Sequence, residues 1–481
     1  MPSLKKESLN LQADRDKLPR NRKRNKEAND MEFTMENKFK TEYQKKLVTA
    51  DEAAKLVKSG DWVEYSATIN CAHDFDEALA RRKDELWDVN IRCDIGTYTH
   101  HTAEADPSGE HFAWSAWHCG GIDKKFIGKN LYHCPQNLHE NPMMTRKDCV
   151  PDDIAVIMVT PMDRHGYFNF GASTISGFAM METAKITILE VNENLPRCLG
   201  GYMESVHISQ VDYVIEGKNI PVMTLPSAEP GETDKAIAKH ILSRMYDGNC
   251  IQLGIGGIPN EVGKLVAQSD LKNLGVHTEM YVDAYLEMYK AGKINGSQKN
   301  IDKYKQVYSF TMGSKELYDF IDNNSGLASY PIDYTNDPAI IRQLDNFVSI
   351  NAAIEVDMFG QVCSESVGTR HISGSGGQLD FVIGAYKSQG GQSFICLPST
   401  ITIKGQTTSR IRPTLADGAV VTVPRSYTHM IVTEHGVAKL KGQNTWQRAE
   451  ALINIAAPEF RDELIKEAER MNIWKKVNKR I

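Results

Sequence analysis

Residues 250–262, CIQLGIGGIPNEV, read as a strand that runs into a glycine turn and then a helix. Cys250, Ile251 and Leu253 form a short apolar run, and Gly254, Gly256 and Gly257 break it where a chain leaving a sheet must turn. Bare glycine backbone can approach a ligand closely, and amides at a helix N-terminus can face a developing negative charge. The turn is not a dinucleotide fingerprint. The third glycine at Rossmann spacing is missing, and no acidic residue closes a second strand about 20 residues on. Taken alone, such a loop is more often an ordinary strand-to-helix connection than a ligand site.

The same alternation extends in both directions. Upstream lie a helix opened by Thr49 with early acids, a strand at 62–65, and apolar runs at 154–159 and 186–191. A turn-rich link, TLPSAEPGE at 224–232, is followed by a fresh start: a helix over 234–245, then runs at 250–253, 307–310, 347–350, 394–397 and 430–433, and a helix-forming segment over 446–470. Strands alternating with helices predict βαβ units on mostly parallel sheets. Both halves carry a similar loop after a strand, MDRHGY at 162–167 and VDMFGQ at 356–361, which suits two related domains. The predicted fold is therefore α/β, with a charged tail at 1–40 and two similar α/β domains at 41–226 and 227–481.

At 481 residues the chain exceeds one compact core. A net charge of -6 and 25% charged residues favour neither a nucleic-acid partner nor a membrane surface, and no apolar run reaches the roughly 20 residues of a membrane span. Nine cysteines without a C-x-x-C pair read as reduced packing residues, hence an expected cytoplasmic location. Residues 2–40 mix Lys, Arg, Asp and Glu with little apolar periodicity and are expected to be disordered. The basic cluster 20–24 reads as a solvated face, and Met31 and Met35 could serve as later starts.

Two further stretches raise chemical questions. RHISGSGGQLDF at 370–381 places three glycines in four residues, although each carries a penalty of order 0.5–1 kcal/mol relative to Ala inside an element. GVHTEMYVD at 275–283 puts Glu279 inside a strand-like run, one helix after the first glycine turn. In a parallel sheet that returns the chain to the same edge, so a carboxylate and an amide-rich loop would face one cleft. His100, His101, His111, His118, Cys119, His133 and Cys134 offer zinc-type ligands, but no pair has a recognised spacing. A metal-dependent hydrolase is the weaker reading, and no metal site is assigned.

Together GIGGIPNEV, GVHTEMYVD, INAAIEVDMFGQVCSESVGTRHISGSGGQLDF at 350–381 and WQRAEALINIAAPEFRDELIKEA at 446–468 resemble the acetyl-CoA hydrolase/transferase branch of the class I CoA-transferases, over about residues 42–474. The likeness is greatest to butyryl-CoA:acetate CoA-transferases, with 4-hydroxybutyrate CoA-transferases as near relatives. The resemblance implies two similar α/β domains with the active site between them. It implies Glu279 as the catalytic glutamate, and Gly254, Ile255, Gly256, Gly257 and Ile258 as a loop that supports the oxyanion and contacts CoA. Gly376 and Gly377 would form the second glycine loop, Ala353 would line the cleft, and loops 163–166 and 171–173 would approach the carboxylate substrate. Implied substrates are butyryl-CoA or acetyl-CoA and short-chain acids, exchanged through a glutamyl-CoA thioester. No cofactor, metal, nucleic acid or membrane is implied, and a homo-oligomer is expected. The run Tyr281-Val282-Asp283-Ala284-Tyr285 follows Glu279 in the butyryl-type manner; relatives of the 4-hydroxybutyrate type tend to carry a small Ser-Asp-Gly run there. Acyl-CoA hydrolysis is the alternative activity.

Overall fold

The computed structural model describes residues 37–225, 229–254 and 256–477. The expected disorder of the tail concerns mainly residues outside these. Within them, residues 37–46 are helical, so the end of the stretch expected to be disordered, 37–40, is ordered, and regular structure begins ahead of the helix that Thr49 opens.

The first half is built on a seven-stranded, all-parallel sheet. Trp62–Ala67 lies centrally. The chain steps outward through Val89–Asp94, Phe112–Ala116 and Leu131–His133, then crosses back to Ile154–Val159, Ile186–Val191 and Tyr213–Glu216. All six residues of Ile154–Val159 are buried, as both-face coverage of a parallel strand requires. Ile154 and Val156 pack with the side of helix Asp74–Ala80, whereas Ala155, Ile157 and Val159 join Met180 on the other face. The opening helix Ala50–Ala54 has the capping box that its sequence announced: Glu52 N–H donates to Thr49 Oγ1 at 3.2 Å, and Thr49 N–H to Glu52 Oε2 at 2.8 Å.

The second half has a six-stranded sheet in the order Gly275–Val276, Cys250–Leu253, Phe347–Ala352, Gln392–Cys396, Met430–Thr433, Gly436–Lys439. Only the last pair is antiparallel. From Cys250–Leu253 the chain moves first to one neighbour and then to the other, so the strand order reverses there, where open α/β sheets leave a crevice at the strands' carboxyl ends. The helical segment expected over 446–470 is two helices, Thr445–Asn454 and Arg461–Arg470, because Pro458 has no N–H to continue the first.

The two lookalike loops share one geometry. Asp163 Oδ1 accepts from the amides of His165 and Tyr167, and Asp357 Oδ1 from those of Phe359 and Gln361; Gly166 and Gly360 have φ of +85° and +89°. Both halves thus turn the chain with the same Asp-capped, left-handed glycine. One apolar cluster joins them: Ala67, Ile69 and Met158 pack with Leu253, Met280 and Phe310.

Candidate active site

Where the carboxyl ends of the two sheets face each other lies a cavity of ≈ 550 Å³. From the first half its wall is made by Ile95, Gly96 and Thr97, which follow the strand Val89–Asp94, and by residues 118–121 after Phe112–Ala116. The second half supplies Leu253 and Gly254 at the point of strand reversal, Ala352 beside them, and residues 372–378. Met223 and Leu225 of the link between halves also line it. The link is tied down by a hydrogen bond from Tyr318 Oη to the Met223 carbonyl, 2.8 Å.

Glu279 enters this cavity where its strand breaks. The run 275–283 is not one strand: Gly275–Val276 ends the six-stranded sheet, and Met280–Tyr281 pairs instead with Phe310–Thr311 in a small separate sheet. The residues between are held from the backbone outward. The buried His277 imidazole donates to the Thr335 carbonyl at 2.7 Å, Thr278 N–H to Val307 O at 2.9 Å, and the Glu279 carbonyl accepts from the amides of Ser309 and Phe310 at 3.0 and 3.2 Å. The side chain is thereby fixed and half-buried, with the cavity in front of it.

Asn336 Nδ2 donates to Glu279 Oε2 at 2.7 Å, and the main-chain amide of Gly377 also bonds the carboxylate. A Cβ on Gly377 would lie 2.0 Å from Oε2 and 2.1 Å from Asn336 Nδ2, which explains the bare backbone of this loop. Gly376, at φ +52°, turns the loop over the carboxylate. Burial pushes Glu279 up to about 7; the Asn336 and Gly377 hydrogen bonds pull it down, and the charge of Asp380 adds to the upward push. Asp94, at the end of its strand, has both carboxyl oxygens buried without a partner and is pushed up to about 8, by burial and then by Glu279. His118 is held neutral by burial, down to about 4, and shares a 3.1 Å hydrogen bond with Ser373 Oγ. The arrangement is a carboxylate near neutrality in a partly dry cleft, with amide donors at hand, as suits a nucleophile.

Of the residues singled out in sequence, Glu279, Gly254, Gly376 and Gly377 line the cavity. Ala353 does not; it is buried behind Ala352, its amide donating to Cys396 O at 3.0 Å. Gly256, Gly257 and Ile258, at the start of helix Gly257–Gln268, are not among the lining residues, and Ile255 lies outside the described residues. The Gly254 amide is committed to Ile350 O at 2.9 Å, so this residue offers no oxyanion donor. Gly257 is needed for packing, since a Cβ there would meet Asp234 Oδ2 at 2.6 Å. Loops 163–166 and 171–173 do not reach the cavity either; Ala172 O accepts from Thr311 N–H at 2.8 Å, and the second loop seals the two halves together. Tyr281 and Tyr285 are fully buried and stacked, and the Tyr285 hydroxyl accepts the Leu253 amide at 2.7 Å. They shape the site from behind without lining it. Among the described residues, no three of the first-half histidines and cysteines come together as metal ligands.

Sequence reading missed Asn336 and a polar floor, and it named His118 only as a zinc-type ligand, whereas this residue lines the cavity. Gln252 and Asn351 line the cavity from adjacent strands, and Ser349 Oγ donates to Gln252 Oε1 at 3.0 Å. The signal was available: like Glu279, these are polar residues in otherwise apolar strands. Asn336 had none, because its turn joins the site from 57 residues away.

Similarity to known proteins agrees with this geometry. The acetyl-CoA hydrolase/transferase N-terminal domain matches residues 30–226, and the C-terminal domain of the same family matches residues 313–468. A Syntrophomonas wolfei protein named a probable butyrate:acetyl-CoA coenzyme A-transferase is 69% identical over 92% of this chain and 100% of its own length. The butyryl-CoA:acetate CoA-transferase of Anaerostipes caccae is 52% identical over the same shares. A solved 4-hydroxybutyrate CoA-transferase from Porphyromonas gingivalis superposes with a TM-score of 0.72 at 33% identity, covering 89% of this chain and 98% of that one. With both halves matched and relatives of 69% and 52% identity covered along their whole length, this chain belongs to the acetyl-CoA hydrolase/transferase family.

Proposed function

We propose that this enzyme moves CoA from butyryl-CoA to acetate, with Glu279 as the temporary carrier. The observation that carries the reading is the Glu279 carboxylate held at the cavity by Asn336 and Gly377, in a chain so similar to two proteins named for this exchange.

Glu279 attacks the thioester carbonyl of butyryl-CoA; the C–S bond breaks, giving a butyryl-glutamyl anhydride and CoA thiolate. The thiolate then attacks the glutamyl carbonyl, releasing butyrate and leaving a glutamyl-CoA thioester. Acetate attacks that thioester, forming an acetyl-glutamyl anhydride and freeing the thiolate again. Attack of the thiolate on the acetyl carbonyl yields acetyl-CoA and the original carboxylate. No net proton, electron or metal ion is required. Where the thiolate or acetate attacks the glutamyl carbonyl, the oxyanion forms on a Glu279 oxygen, for which the Gly377 amide and Asn336 would serve as donors, worth on the order of 3 kcal/mol each. The helix start at 256–258 is assigned to the CoA chain, whose remote binding energy can be used at the reacting thioester. Water in the cleft would turn transfer into hydrolysis. The working form is read as a cytoplasmic homo-oligomer, from its nine free cysteines and the default of symmetric assembly. No helix among the described residues is long and apolar enough to cross a membrane.

The test is steady-state exchange between butyryl-CoA and acetate. Parallel double-reciprocal lines are expected, together with a loss of at least a thousandfold in kcat for Glu279→Ala. Near-normal exchange by that variant would end the reading. 4-Hydroxybutyryl-CoA in place of butyryl-CoA measures the nearest alternative.

A further inference from the structure

Three metal-ligating side chains from distant parts of the chain meet beside the cavity and outside its lining. His133 ends the edge strand Leu131–His133 of the first sheet; Glu365 and His371 bracket the hairpin of Ser366–Val367 and Arg370–His371 in the second half. One ligand atom of each lies within 4.8 Å of the others. His133 is hydrogen-bonded to the Trp117 main chain, and its Nε2 is buried with no partner. His371 has Nε2 against the Ser373 carbonyl, which leaves the lone pair on Nδ1. An imidazole with one nitrogen bound to a carbonyl and the other bare is in the tautomer that metal-ligating histidines use. Glu365 is 5% exposed and, among the described residues, forms no ion pair. A buried carboxylate beside imidazole lone pairs is a place for one cation.

The geometry points to a divalent transition-metal site, with zinc as its natural occupant, made by His133, Glu365 and His371 and completed by water. Two nitrogens and one carboxylate oxygen are a ligand set zinc accepts. The spacing is wider than the roughly 3.4 Å between ligands of a tetrahedral zinc with bonds of about 2.1 Å, so coordination requires the side chains to close in. The two imidazoles, now stacked 4.0 Å apart at 26°, would turn out of that stack. The ion would be structural, because the chain continuing from His371 becomes residues 372–377, which line the cavity and reach Glu279. It would pin the catalytic loop of one half to the sheet edge of the other.

The full chain, stripped with chelator and dialysed, is titrated with zinc sulfate by calorimetry and with cobalt(II) by its visible absorption. Expected is about one equivalent per chain, at least a tenfold weaker affinity in His133→Gln and in His371→Gln, and a zinc-dependent rise in Tm that both variants lose. His165→Ala, at an exposed site remote from the cluster, is expected to bind as the parent does. The Gln variants keep side-chain volume and hydrogen bonding, and circular dichroism reports whether they fold. Absence of saturable zinc binding by the parent chain would overturn the proposal, as would unchanged affinity in the folded double variant. Each of these readouts is binding or Tm, so the outcome is independent of whether Glu279 carries CoA.

Discussion

Glu279 answers at the scale of one residue why a carboxylate should sit in this cleft: it must be charged to attack, yet poorly solvated enough to be reactive. Its value of about 7 sets the expected pH dependence. The acylation rate measured by rapid quench should rise with pH through about 7, as the carboxyl loses its proton. Asn336 favours the charged form, so Asn336→Ala should move that midpoint upward and slow acylation at pH 7 by about tenfold. The same shift is a statement about stability. Because the folded value lies above the ordinary 4.5, burying the carboxyl is harmless below about pH 4.5, and its cost is complete only above about 7. Glu279→Gln should therefore stabilise the protein more at pH 8 than at pH 5, by up to about 3 kcal/mol and less where solvent reaches through the cavity. Paired thermal melts check the sign. Gly377→Ala, whose new methyl would displace the carboxylate and Asn336, should lower kcat at least a hundredfold with little change in the fold.

Among the elements, buried parallel strands were legible and interruptions were not. Ile154–Val159, Ile186–Val191, Cys250–Leu253 and Met430–Thr433 stand where their apolar runs put them, because a strand covered on both faces is predominantly apolar. The break at His277 and Thr278 was hidden, since β-branched and aromatic residues continue straight through it while hydrogen bonds to Val307 and Thr335 divert the chain. Propensity is local and those partners are distant. Tyr285 has a second role that the sequence does not report: its hydroxyl supports the Leu253 amide ahead of the glycine turn. Tyr285→Phe leaves that buried N–H unsatisfied and should cost about 1–3 kcal/mol in denaturant unfolding, with KM for butyryl-CoA rising as the turn loosens.

For the whole molecule, the repeat was visible in the restart after the link and in the twin Asp-capped loops, and it gave two sheets without saying how they face. What joins them is a set of contacts between residues more than a hundred positions apart, which periodicity does not report. Among them, His139 donates to Asp380 through Nδ1 at 2.7 Å and its amide at 3.1 Å, fastening the first turn of helix Gln378–Lys387 to the opposite half. His139→Ala strands the buried Asp380 carboxyl and should destabilise the protein by about 2 kcal/mol, while raising the ratio of hydrolysis to transfer as water gains entry to the cleft. The central claim, that CoA rests on Glu279 between its two acids, is tested most directly by mixing the enzyme with butyryl-CoA alone and analysing its peptides by mass spectrometry. The account requires one CoA, less the elements of water, on the peptide carrying Glu279, and its discharge when acetate is added. An unmodified Glu279 peptide in enzyme that still exchanges CoA would contradict it.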